Sequence, residues 1–291
     1  TREGNASFGP HVEGYDLDYV AGISWPRSGH HMLVRLLQKY FGPDFHYCNF
    51  YAEPPGCCGT VPCSTPRKTQ LSKNHDFDLK VPQVAGQKYL IQYRDFVPSV
   101  VSNFELYVRQ GNPDTQGSFR TFVSAEFARY RGFVDKWVTS EFGRRQLVLR
   151  YDDFLADPAA GLARAVAYFD AGAAVDPERI RMAVDTIDGE RIEQTKVTRL
   201  QASGVHQPRD VTAFRHYRPA LFEKLAKLSL TRAEVARIYQ GVHNKPVPEN
   251  KMLQLQTHET PQALQAALER HVAVKARKTA AGAVNINKKT D

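Results

Sequence analysis

The sequence predicts an α/β fold in which a central parallel sheet carries helices on both faces and leads into a helical C-terminal part. Short apolar runs bounded by turn residues recur along the chain, and each is followed by a stretch with helical periodicity. The polar residues that suit chemistry cluster just after those runs, where open parallel sheets bind ligands.

Residues 15–25 contain the first run, with Val20, Ala21 and Ile23, and end at Pro26 and Gly29, as expected of a buried strand. Over residues 30–41, Met32, Leu33, Leu36, Leu37 and Tyr40 recur at helical spacing until Gly42 and Pro43 stop the pattern. A second strand is expected over residues 88–94, followed by a helix through Val97, Val100, Val101, Phe104 and Tyr107. Residues 119–137 have the length and pattern of a crossover helix. A third strand, 146–151, precedes a turn-rich stretch at 152–158 and a helix at 162–169. Beyond Val175 the chain reads as mostly helical, with an irregular segment at 198–212 and a helix at 261–274. The expected organisation is one domain over residues 1–250 and a helical, basic extension over 251–291.

With 291 residues, 42% hydrophobic and 24% charged, the chain has material for one large core. No apolar run approaches the roughly 20 residues that span a bilayer, and residues 1–20 lack a secretory-signal pattern. A cytoplasmic location is therefore expected; the alternative is the lumenal catalytic part of an anchored enzyme, since the sequence starts at Thr1. The net charge of +8 suits a polyanionic partner, but no nucleic-acid motif accompanies it and nucleic acid is not expected. Lys275, Arg277, Lys278, Lys288 and Lys289 supply part of the excess as a solvated basic tail. The C-terminal helix is a candidate surface for self-association.

All four cysteines, Cys48, Cys57, Cys58 and Cys63, fall in one Pro- and Gly-rich stretch that reads as a loop. Their spacing departs from the paired pattern of zinc sites. Free thiols are the leading expectation, with a loop disulfide such as Cys48–Cys63, and then zinc, behind.

After the first strand comes Trp25-Pro26-Arg27-Ser28-Gly29-His30-His31, a glycine turn opening directly into a helix. Helix-start amides make an anion pocket, to which Arg27 adds charge and Ser28 a hydroxyl. The P-loop of nucleotide triphosphatases is missing: Gly22 is too far from Gly29, and His30-His31 replace the Lys-Ser/Thr pair that would ligand magnesium. A phosphate pocket working without a metal is the expectation.

Pro26-Arg27-Ser28-Gly29 resembles the 5′-phosphosulfate loop of sulfotransferases that use 3′-phosphoadenosine 5′-phosphosulfate (PAPS). The departure is His30-His31, in place of the hydroxyl pair that usually follows; their imidazole N–H groups are expected to donate to the phosphosulfate. The resemblance implies a P-loop-like sulfotransferase fold, PAPS as donor and adenosine 3′,5′-bisphosphate (PAP) as product. It extends to Tyr93-Arg94-Asp95 with Ser102, where the family holds the 3′-phosphate, so Arg94 and Ser102 are expected cofactor contacts. Tyr151-Asp152-Asp153-Phe154 resembles the family segment whose tyrosine meets the adenine, which marks Tyr151. Gln207-Pro208-Arg209 resembles the late basic segment around the 3′-phosphate and nominates Arg209. Each motif alone has a bland alternative, such as a surface arginine or a local Arg94–Asp95 ion pair; the conjunction in family order carries the resemblance.

Lys73-Asn74-His75 is similar to the family's Lys-x-His segment, which implies that His75 takes the proton from the acceptor hydroxyl. Imidazole, with an unperturbed pKa near 6.5, is neutral and basic at physiological pH. Arg27 and Lys73 are the expected charge stabilisers of sulfuryl transfer. Acceptor recognition is expected in residues 47–71 and 198–212. Arg67, Lys68 and Lys73 suggest an acidic acceptor, and Tyr47, Phe50 and Tyr51 offer stacking for a sugar or a phenol. A carbohydrate or glycolipid acceptor is expected, with small phenolic acceptors, or PAP and PAPS binding without transfer, as alternatives.

Overall fold

The computed structural model describes residues 17–42, 45–49, 57–63, 69–172, 174–197, 210–228, 230–258 and 260–287. Five strands form one wholly parallel sheet: β1 (Val20–Ser24), β2 (Tyr47–Asn49), β3 (Leu71–Asn74), β4 (Lys88–Tyr93) and β5 (Leu147–Arg150), in the order β2-β3-β1-β4-β5. Every residue of β1 is buried, as befits the central strand of a sheet covered on both faces. Gly22 is required there because a Cβ would collide with the carbonyl oxygen of Ser72 on β3.

Helices follow the strands. They are α1 (His30–Phe41), α2 (Phe96–Arg109), α3 (Gln116–Phe133), α4 (Glu141–Arg144), α5 (Tyr151–Ala156), α6 (Pro158–Phe169), α7 (Pro177–Val197), α8 (Pro219–Ala226), α9 (Arg232–His243), α10 (Glu249–Leu255) and α11 (Pro261–Asn287). A π-turn at Val134–Val138 continues α3, and a 3-10 turn lies at Val211–Ala213. The two-residue period of the strands feeds two cores. Val20, Leu71, Leu90 and Leu147 pack with Leu33, Leu37, Leu162 and Phe169 on one face; Ala21, Ile23, Tyr89 and Ile91 pack with Phe133 and Trp137 on the other.

The helix and strand expected over 30–41 and 88–94 are present, the strand ending at Tyr93. Three expectations need correction. Cys48, read as part of a loop, lies on β2, and Lys73 lies on β3, with His75 just past its carboxyl end. The stretch at 152–158 is helical: Asp152 and Asp153 sit in the first turn of α5, where the macrodipole favours acids, and Asp157 caps α6 by accepting from the Ala160 amide. The cysteines are neither free nor paired Cys48–Cys63, but form Cys48–Cys57 and Cys58–Cys63. Both pairs have Cα atoms 5.4 Å apart, inside the usual span of a disulfide, so the adjacent Cys57 and Cys58 serve different partners.

The chain divides into two compact units, residues 1–114 with 129–215 and residues 115–128 with 216–291. Residue 250 thus falls inside the second unit. That unit has its own core of Leu230, Val235, Tyr239, Met252, Leu264 and Leu268. None of the described helices is long and apolar enough to cross a membrane.

Candidate active site

The strand order places β1 between β3 and β4, so the chain turns to opposite sides as it leaves neighbouring strands, the position at whose carboxyl ends open parallel sheets bind ligands. Residues 25–29 after β1, His75 after β3 and Arg94 after β4 all belong to that edge.

The turn after β1 is shaped for an anion. Arg27 and Gly29 both adopt the left-handed conformation, with φ of 64° and 79°. For a non-glycine residue this is uncommon, and strain of this kind concentrates at functional loops. Gly29 precedes α1 without a side-chain hydrogen bond to cap it, which leaves the first amides of the helix for a ligand. Gly29 is also pressed against Tyr151: a Cβ would stand 2.5 Å from Cδ2 of that ring. Pro26 and Ser28 are buried, and the Ser28 hydroxyl has no hydrogen-bond partner among the described residues. A buried donor left in this state is costly unless a ligand completes it.

Arg27 connects the first motif to the second. Its Nε donates to the Ser102 hydroxyl at 2.9 Å, between residues 75 apart in sequence. Arg94 is buried, and its guanidinium lies 4.3 Å from the Tyr151 ring centroid, a cation–π arrangement joining the second motif to the third. The local Arg94–Asp95 ion pair that stood as the bland alternative is not among the ion pairs of the described residues. Asp95 instead receives Nε and Nη2 of Arg150, while Arg94 has Asp152 3.9 Å away. Arg27, Gly29, Arg94, Ser102 and Tyr151 therefore form one contiguous group.

Lys73 is buried, with no salt bridge to a carboxylate among the described residues. Burial, followed by the Arg27 charge, lowers its pKa. An ammonium taken from water without a counter-charge is unfavourable, and an anion bound beside it would relieve the cost. His31, on α1, is also held below the ordinary imidazole pKa, by partial desolvation of its ring and then by the charges of Lys73 and Arg27.

His75 hangs from β1. Its Nδ1 lies 2.5 Å from the Ser24 carbonyl oxygen and 3.3 Å from the Ser24 hydroxyl. A carbonyl only accepts, so the proton sits on Nδ1 and the basic lone pair is on Nε2. Burial, then the Lys73 charge, pushes the His75 pKa down to about 4 against the Ser24 bond. The imidazole is neutral at physiological pH. Its neighbour Asp76 anchors this loop, accepting from Trp137 Nε1 and Lys136 Nζ at 2.7 Å and from the Val81 amide at 2.8 Å.

His30 differs from its expected role. Nδ1 points at Gln92 Oε1, 2.7 Å away, and the amide oxygen fixes the proton on Nδ1. The ring is buried and its pKa falls well below normal, through burial and then Lys73. Its N–H is thus committed to Gln92, and a donating imidazole is replaced by one that props the loop and leaves its backbone amide at the helix start. Nε2 of His30 and the Tyr47 hydroxyl, buried polar atoms on rings 5.4 Å apart, have no hydrogen-bond partner among the described residues.

The sequence pointed to neither Ser24, Gln92 nor Asp76. Each lies next to or opposite a motif residue, but only strand pairing shows what it holds. Arg209, Arg67, Lys68, Phe50 and Tyr51 lie outside the described residues. Neither family models nor curated proteins match the chain.

Proposed function

We propose that the chain is a PAPS-dependent sulfotransferase of P-loop-like fold, with His75 as the general base. The observation that carries this reading is the Arg27–Ser102 hydrogen bond, which brings together the two corners that the resemblance assigns to opposite ends of one nucleotide.

The residues present fit such a ligand. The uncapped start of α1, Arg27, the unpartnered Ser28 hydroxyl and buried Lys73 suit the 5′-phosphosulfate. Arg94 and Ser102 suit the 3′-phosphate, and Tyr151, which the resemblance assigns to the adenine, is held by Arg94 and Gly29.

PAPS supplies the sulfuryl group: a bond forms between the acceptor oxygen and sulfur as the bond from sulfur to the phosphate oxygen breaks, and PAP leaves with that electron pair. His75 takes the hydroxyl proton on Nε2, while Ser24 keeps the ring in the required tautomer. Lys73 and Arg27 carry fixed positive charge where the departing phosphate oxygen gains negative charge. Because both cations are already in position, little reorganisation accompanies the step.

A carbohydrate or glycolipid is the proposed acceptor class. The two disulfides favour an oxidising compartment such as a secretory lumen over the cytoplasm expected from the sequence. The test is thermal denaturation with PAP, ATP or GTP, followed by transfer from radiolabelled PAPS to panels of glycans, phenols and lipids. PAP-selective stabilisation with labelled glycans is expected. PAP binding without transfer to any acceptor would leave a binding protein, and equal stabilisation by all three nucleotides would remove the assignment.

A further inference from the structure

The second unit contains a cavity of about 1080 Å³ lined by α9, α10, α11 and the turns joining them, at the upper end of the size of small-molecule sites. Leu255, Leu268 and Val272 give it an apolar lining, and Val272 is 41% exposed. Lys245, Lys251, Lys275, His243 and His271 contribute basic groups, and no carboxylate lines the cavity among the described residues. These groups are close enough to affect one another: His243 is held below the ordinary imidazole pKa by burial, then by the charges of Lys245, His271, Lys251 and Lys275.

Concentrating like charge is unfavourable, and no carboxylate among the described lining residues offsets that of Lys245 and Lys251. An inorganic anion would answer the charge but leave Val272 and the half-buried Leu255 in water. Tyr239, the tyrosine of the lining, is buried against His243 with ring centroids 4.3 Å apart and offers no face on which a nucleic-acid base could stack. An aliphatic chain with an anionic head satisfies both surfaces.

We propose that this cavity binds an amphipathic anion, an aliphatic chain ending in a carboxylate, phosphate or sulfate, with the chain on Leu255 and Val272 and the head between Lys245 and Lys251. None of these residues takes part in the proposed sulfuryl transfer, so the two assignments stand or fall separately.

The test is calorimetric titration of the full chain with dodecyl phosphate below its micelle concentration, with dodecyltrimethylammonium and inorganic phosphate as controls. A parallel arm measures cosedimentation with phosphatidylcholine vesicles containing phosphatidylglycerol. Wild-type protein is expected to bind the anionic amphiphile and not the cationic one. K245E/K251E and, separately, V272E are each expected to weaken binding by about tenfold or more, without altering PAP affinity or the melting temperature. Binding of the monomer identifies a free amphiphile; retention by vesicles alone, lost in both variants, identifies a lipid headgroup in a bilayer. Equal binding of the cationic amphiphile, unchanged binding by the variants, binding of an oligonucleotide in preference to the amphiphile, or no binding in either arm would overturn the proposal.

Discussion

Nδ1 of His75 lies 2.5 Å from the carbonyl oxygen of Ser24, a bond between the end of β1 and the residue just past β3 that fixes which imidazole nitrogen is basic. Removing the imidazole should remove the base and spare the nucleotide pocket. His75→Ala is expected to lower turnover by about 10²–10⁴-fold and leave PAP affinity near wild type. Single-turnover transfer and calorimetry check the two halves separately, and near-full turnover would take His75 out of the mechanism.

The lowered pKa of His75 sets the pH dependence. The base stays neutral down to about pH 4, so the acid limb of kcat/KM is expected well below the ordinary imidazole value of 6.5. Stability has a matching sign. The native ring resists protonation while the unfolded ring accepts it, so the unfolded state binds more protons between about pH 6.5 and 4, and stability falls as pH drops through that window. Denaturant unfolding at pH 7 and pH 5 should show that fall. His75→Gln should reduce it without abolishing it, because the shifts of His30, His31 and His243 have the same direction.

Gly29 meets two constraints, a φ of 79° and the Tyr151 ring. Gly29→Ala is therefore expected to cost about 1–3 kcal/mol of stability and to weaken PAP binding, as read by denaturant titration and calorimetry. A neutral result would mean that the turn does not hold Tyr151 in place.

Asp76 accepts three hydrogen bonds from a buried position. Asp76→Ala leaves Lys136 without this counter-charge and is expected to cost about 3–5 kcal/mol in equilibrium unfolding. The same substitution should lower turnover more than PAP affinity, because the released loop carries His75 and not the nucleotide contacts.

The central strands and α1 were legible because their apolar residues repeat with clear periods. Leu33, Leu37, Ile23 and Ile91 are where those periods place them, inside the two cores. β3 was not legible because Leu71-Ser72-Lys73-Asn74 has one apolar residue; its buried polar positions are explained only by distant partners, such as Tyr19 for the Ser72 hydroxyl. The disulfide pairing was hidden for a related reason, since Cys48 belongs to a three-residue strand too short to show a period. Of the candidate site, the motifs gave residue types and strand ends. The Arg27–Ser102 bond, the stacking of Arg94 on Tyr151 and the tautomers of His30 and His75 required the sheet order.

A single nucleotide spanning both corners is tested most directly by calorimetric comparison of PAP with adenosine 5′-monophosphate, which lacks the 3′-phosphate, in wild-type, Arg94→Ala and Ser102→Ala proteins. Wild-type protein should bind PAP at least about tenfold more tightly, and each substitution should shrink that preference. Equal affinity of the wild-type protein for both nucleotides would show that the corner built by Arg94 and Ser102 holds no phosphate.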